Sequence, residues 1–184
     1  MRRAFLLAAL AAAGAAPLAT PLLAQTPAAQ DGAYRAEFLS ELKTREDKYL
    51  GLAEAIPAGT YTWRPAEGVR SVSEVLLHIA AANYNFAGRL GATPPASFDP
   101  QGWETSTTDK AAITEEVRRS FEHLRQAVER STNPEEATIP WFGGTTITNR
   151  AFYQFLTGHA GEHLGQLIAY ARVNGVRPPW SGEG

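Results

Sequence analysis

The sequence predicts an all-α protein, a four-helix bundle. Two observations carry this reading. Four segments of about 20 residues place apolar side chains three or four positions apart, with charged residues between them. Start signals (serine, threonine) and stop signals (glycine, proline) bound these segments, and no repeat period is visible. Four amphipathic helices of this length bury their apolar faces most economically against one another.

The first helix is expected over Tyr34–Ala55, with the stripe Tyr34, Phe38, Leu42, Tyr49, Leu52 and Ile56, and Pro57 ends it. The second runs from Ser71 to Leu90. It opens with the capping box Ser71-Val72-Ser73-Glu74, carries Val72, Val75, Leu76, Ile79, Asn83 and Phe86, and stops at Gly91. The third, Lys110–Ser131, follows a Thr107/Thr108 cap and carries Ile113, Val117, Phe121, Leu124 and Val128. The fourth, Asn149–Asn174, carries Phe152, Phe155, Leu156, Leu167 and Tyr170, with Thr148 as N-cap and Gly175 after its end. Between helices, Thr60-Tyr61-Thr62-Trp63 reads as a short extended piece. Trp141-Phe142-Gly143-Gly144 reads as a turn between two short strands. The unequal connections suggest at least one non-adjacent crossover.

The chain has 184 residues and no cysteine. That excludes disulfides, thiolate zinc sites, iron–sulfur clusters and a cysteine nucleophile. A net charge of −2 argues against a nucleic-acid partner. Residues 1–24 begin with Arg2 and Arg3, continue with an apolar run from Phe5 and close on Leu22-Leu23-Ala24, the order of a secretory signal peptide. Gly14, Pro17 and Pro21 interrupt the run and weigh against a membrane anchor, so no stable span is expected after cleavage. Arg2-Arg3-Ala4-Phe5-Leu6 is similar to a twin-arginine signal, and a general secretory signal fits equally well. Residues 25–32 read as a flexible leader and 33–184 as the bundle domain. The expected location is periplasmic or extracellular.

The chemistry points to the histidines. His159-Ala160-Gly161-Glu162-His163 puts two imidazoles four positions apart, on the helix face that also carries Phe152, Phe155 and Tyr170. Two neutral imidazoles facing a bundle interior suit a divalent cation, and the same spacing suits hydrogen-bonded core histidines. Gly158 and Gly161, costly inside a helix, suggest a close approach by a backbone or ligand. His78, on the rim of the second helix's stripe, is the candidate third ligand. His123 falls beside the core face and reads as a solvated surface residue. Ala160 stands where a zinc protease needs glutamate, so that pattern fails. Glu162, Gln166 and Asn85 are the candidate polar helpers, and Trp63, Tyr84 and Trp141 the candidate aromatic lining.

Four fragments together resemble a known family. They are Ile56-Pro57 with Tyr61-Thr62-Trp63-Arg64-Pro65; Ser71 to Ile79, containing His78; His159 to Leu167; and Tyr170-Ala171-Arg172-Val173-Asn174-Gly175-Val176-Arg177-Pro178-Pro179. In this order, with this histidine placement, the chain resembles the DinB-like superfamily, which includes the DinB and YfiT-type proteins. The resemblance implies an up-down-down-up bundle, a divalent metal on His78, His159 and His163, and a homodimer. Characterised members of that family include thiol-dependent transferases and isomerases, and the export signal weighs against the thiol branch. Three readings follow: a metal-dependent hydrolase or thiol/group transferase acting on a small molecule, a non-catalytic metal-binding protein, and a dimeric scaffold. Three imidazoles suit Zn, Ni or Fe, so they do not identify the metal.

Overall fold

The computed structural model describes residues 32–182. The signal-peptide reading of 1–24 and nearly all of the leader reading of 25–32 lie outside them. Four helices dominate: α1 (Ala33–Ala55), α2 (Val72–Arg89), α3 (Lys110–Arg130) and α4 (Asn149–Val173). Between α3 and α4, β1 (Thr138–Pro140) and β2 (Thr146–Thr148) form an antiparallel hairpin in the register Thr138↔Thr148, Ile139↔Ile147, Pro140↔Thr146. The Trp141–Gly144 segment is the expected turn, with Gly143 and Gly144 at φ 66° and 75°. Among the described residues no helix is long and apolar enough to cross a membrane.

Local chemistry explains the ends. Ser71 accepts from the Glu74 N–H, and Glu74 accepts from the Ser71 N–H at 2.7 Å, so both halves of the capping box form. Thr148 caps α4 through the Ala151 N–H, and Gly175 follows the helix at φ 73°. The cap of α3 is Asp109, not Thr107 or Thr108. Its carboxylate accepts from the Ala112 N–H at 2.7 Å, while Thr107 Oγ1 accepts from the Asp109 N–H. A carboxylate at a helix N-terminus also meets the positive end of the dipole, which favours Asp109 over the hydroxyls. The start of α1 is capped from a distance: buried Glu135 accepts from the N–H groups of Gly32 and Arg35, both at 2.9 Å.

Thr60-Tyr61-Thr62-Trp63 is not extended. After Pro57 (φ −60°) the chain makes a 3₁₀ turn over Ala58–Thr60 and then a second turn. This leaves the Tyr61 and Trp63 carbonyls to accept from Ser73 and Val72, which docks the start of α2.

Cross-helix contacts give the topology. Phe38 stacks on Tyr153, and further along Tyr49 Oη donates to the Ala160 carbonyl, so α1 and α4 run parallel. Lys110 donates to the carbonyls of Glu54 and Ile56 at the end of α1, while Arg35 at its start donates to the Asn133 carbonyl. The pair α1/α3 is therefore antiparallel. Arg70, just before α2, accepts from Tyr170 near the end of α4, and Phe86 packs on Phe152, so α2/α4 is antiparallel. The order is up-down-down-up, with α1 packed on α3 and α4, and α2 on α3 and α4. The core holds Tyr49, Tyr61, Tyr84, Tyr153, Phe121 and Phe152, each under 2% exposed, so aromatic area supplies much of the burial.

Candidate metal centre

The antiparallel α2/α4 pair brings together histidines 81 positions apart. His78 Nε2 lies 3.2 Å from His159 Nε2. The His163 ring lies 4.4 Å from that of His78 and 4.8 Å from that of His159, centroid to centroid. One ring nitrogen of each falls within 4.8 Å of the other two. His123 is not among them.

The outward nitrogens have partners. His78 Nδ1 meets Glu104 Oε1 at 2.7 Å, and His163 Nδ1 meets Gln166 Oε1 at 3.0 Å. An acceptor at Nδ1 holds the ring proton there and leaves the Nε2 lone pair free. Glu104 is itself held by Arg70, through Nε at 2.7 Å and Nη2 at 3.1 Å. Gln166 donates onward to Tyr170 Oη at 2.8 Å, which donates to the Arg70 carbonyl. His159 is fixed by packing instead, stacked on Phe155 and edge-on to Phe86.

Burial favours the neutral form of His78 and His159. Burial lowers the His159 pKa to about 4, with the neighbouring His163 and His78 adding to the shift. Burial also lowers that of His78, against the opposing effect of the hydrogen bond it donates to Glu104. Burial raises the Glu104 pKa, but the Arg70 and His78 hydrogen bonds outweigh it and keep the carboxyl below its ordinary range.

This donor set fits a divalent cation. Two nitrogens each about 2.0–2.1 Å from a tetrahedral ion stand about 3.3 Å apart. The observed 3.2 Å between His78 and His159 matches. Both opposite-face acceptors are of the kind that orients metal-binding imidazoles.

The other expected helpers divide. Gln166 Oε1 meets His163 Nδ1 and not His159. Asn85 lines the cavity with His78 and His159 but is exposed, and among the described residues its side chain makes no hydrogen bond to either. Glu162 is exposed and its side chain makes no hydrogen bond among the described residues, because its place on α4 faces solvent; the carboxylate that meets a histidine is Glu104. His123 is more enclosed than expected: its ring packs on Tyr84 and its Nε2 is shielded without a partner. Gly158 faces open space, and Gly161 lies under the Arg45 guanidinium, 3.4 Å from where a Cβ would sit, so neither glycine opens onto the histidines.

A cavity of about 500 Å³ opens above the site, lined by His78, His159, Glu104 and the α2 face Ala81, Ala82, Asn85, Phe86 and Arg89, with Phe142 opposite. Trp63, Tyr84 and Trp141 are not in its lining. Trp63 packs on Tyr170, Tyr84 faces Phe98 and Trp103, and Trp141 backs Phe155. Sequence reasoning missed Glu104. Its one signal was elimination: the other acids of that loop, Asp99 and Asp109, satisfy nearby backbone N–H groups, and Glu104 has no local role.

Comparison with known proteins agrees with this architecture. The curated protein YjoA of Bacillus subtilis (strain 168), described as uncharacterized, is 28% identical over 124 residues, covering 67% of this chain and 80% of YjoA. A DinB-like protein from Bacillus cereus ATCC 10987 superposes with a TM-score of 0.67 at 18% identity, covering 78% of this chain and 95% of its own. YfiT from Bacillus subtilis, described as a probable metal-dependent hydrolase with an unusual four-helix bundle topology, gives 0.62 at 14% identity, covering 86% and 94%. The sequence model of the DinB superfamily matches residues 41–167. With most of the domain spanned by that match and the fold shared with DinB-like structures, the chain belongs to the DinB superfamily.

Proposed function

We propose that the protein is a metal-dependent hydrolase of a small molecule, with His78, His159 and His163 as ligands of one divalent cation. The observation that carries the reading is the convergence of three imidazoles, two of them held at Nδ1 by Glu104 and Gln166. YfiT, which shares the fold, is described as a probable metal-dependent hydrolase.

A cation there would act as a Lewis acid and polarise a water or a substrate carbonyl. The chain's own residues do the rest. Glu104 holds the proton at His78 Nδ1, and Arg70 keeps Glu104 ionised. Gln166 fixes the plane of His163. Phe86 and Phe155 set the His159 ring by packing on it. The cavity gives substrate and water a route to the remaining side. Hydrolysis is preferred over thiol transfer because the N-terminal export signal would place the protein where low-molecular-weight thiols are scarce.

The test is elemental analysis of tag-free protein, followed by ester and amide hydrolysis before and after chelation. One Zn, Ni or Fe per chain, hydrolysis lost on chelation and restored by the metal, is expected. A His159→Ala/His163→Ala double variant that keeps its metal, or a wild type that takes up none, would overturn the assignment.

A further inference from the structure

Arg89 sits in the last turn of α2 and lines the same cavity as His78 and His159. Its guanidinium is fixed. It lies 4.5 Å from the Phe142 ring centroid and 5.1 Å from that of Trp141, and Nη1 donates to the Pro140 carbonyl at 2.9 Å. No carboxylate among the described residues forms an ion pair with it. Arg70 and Arg64, on the far side of Glu104, are both paired, with Glu104 and Glu74. Arg89 is therefore the unmatched charge of the cavity, with Nε and Nη2 left to form a fork.

His78 and Arg89 are eleven residues apart on one helix, about 16 Å along its axis. Between them the α2 face presents Ala81, Ala82 and Phe86, with Asn85 as its one polar side chain, and the half-exposed Phe142 of the hairpin lies on the same cavity. The cavity thus has three zones: a histidine end, a middle that is apolar apart from Asn85, and a preorganised cationic end. We infer that Arg89 is the anchor of a carboxylate subsite, and that the cavity takes monocarboxylates with an extended apolar body, held with the far end at the histidines. The inference rests on the hydrolase reading for what happens at that far end.

One guanidinium balances one charge, and its fork matches the two oxygens of a carboxylate. A phosphate dianion would leave a second charge uncompensated in a cavity that already contains Glu104. The stacked rings and the Pro140 carbonyl hold the guanidinium before a ligand arrives, so little side-chain freedom is lost on binding.

The experiment titrates the folded chain, zinc-loaded and separately chelated, with 6-phenylhexanoate, its neutral amide and 5-phenylpentyl phosphate. Calorimetry and the NMR signal of the Arg89 Nε–H are the readouts. The carboxylate is expected to bind about tenfold tighter than the amide in both forms and to shift the Arg89 signal where the amide does not. Arg89→Gln should remove the preference, and Arg89→Lys should keep part of it. The NMR shift is read on the wild type, so it decides even if Arg89→Gln unfolds. An Arg89→Gln variant that keeps the preference would overturn the subsite, as would absence of binding, or a phosphate that binds tighter than the carboxylate. A preference seen only with zinc would place the carboxylate on the metal and equally overturn it. Because the chelated arm needs no metal, failure of the hydrolase reading and failure of the anion subsite give different results.

Discussion

Glu104 and His78 are 26 positions apart, and no local pattern links them, yet their 2.7 Å contact sets which nitrogen of His78 is free. Orienting acceptors of this kind change metal affinity by about 10–100-fold when lost. Glu104→Gln is therefore expected to weaken zinc binding by that factor in a competition titration against a chromophoric chelator. Exposed Glu162 makes no such contact, so Glu162→Ala should leave the affinity unchanged. His123→Ala should likewise leave metal content intact, because its ring lies against Tyr84 and outside the three-histidine group.

At the scale of the element, helix ends are where single residues decide most. Removing the Ser71 hydroxyl breaks one arm of the α2 capping box and is expected to cost about 1 kcal/mol in urea unfolding of Ser71→Ala. The other arm is pH-dependent. Burial opposes ionisation of Glu74, but the Ser71 N–H and Arg64 outweigh it and hold its pKa below the ordinary 4.5. A carboxylate whose pKa is lower folded than unfolded adds stability above its unfolded value, and that stability is lost as pH falls through the folded one. The gap in melting temperature between wild type and Glu74→Gln should therefore be open at pH 7 and narrow below about pH 4.5.

Glu135 does the same work across the chain. It is 1% exposed and satisfies two N–H groups at the start of α1 from about 100 positions away. Glu135→Ala should raise amide exchange in the first turn of α1 well above that in the middle of the helix, measured by hydrogen exchange.

For the whole molecule, the histidines join α2 to α4, a pair whose packing is less extensive than α2 on α3. A cation held there would tie the two helices together. Free metal at one hundred times its dissociation constant would stabilise the fold by about 2.7 kcal/mol. For a domain of this size that is a rise of roughly 5–10 °C in melting temperature. Calorimetry should show this shift in the wild type and not in His78→Ala. Absence of any shift on zinc addition would argue against the metal reading.

The residue pattern by itself determined the helices, their approximate ends and the face of α4 that carries His159 and His163. Helical periodicity, capping and breaking act over a few positions, so neighbours in the chain contain them. Phe38, Leu42, Tyr49 and Leu52 all lie in the core as their spacing required, and the Ser71-to-Glu74 box forms as written. Tertiary structure alone decided what depends on distant partners. It turned Thr60–Trp63 into a docking turn for α2, set Glu104 rather than Glu162 against a histidine, enclosed His123 against Tyr84, and placed Phe142 at the cavity in place of Trp141. Each of these was settled by which backbone groups and rings needed a partner once the helices had packed. That demand does not exist until the up-down-down-up arrangement brings distant segments together.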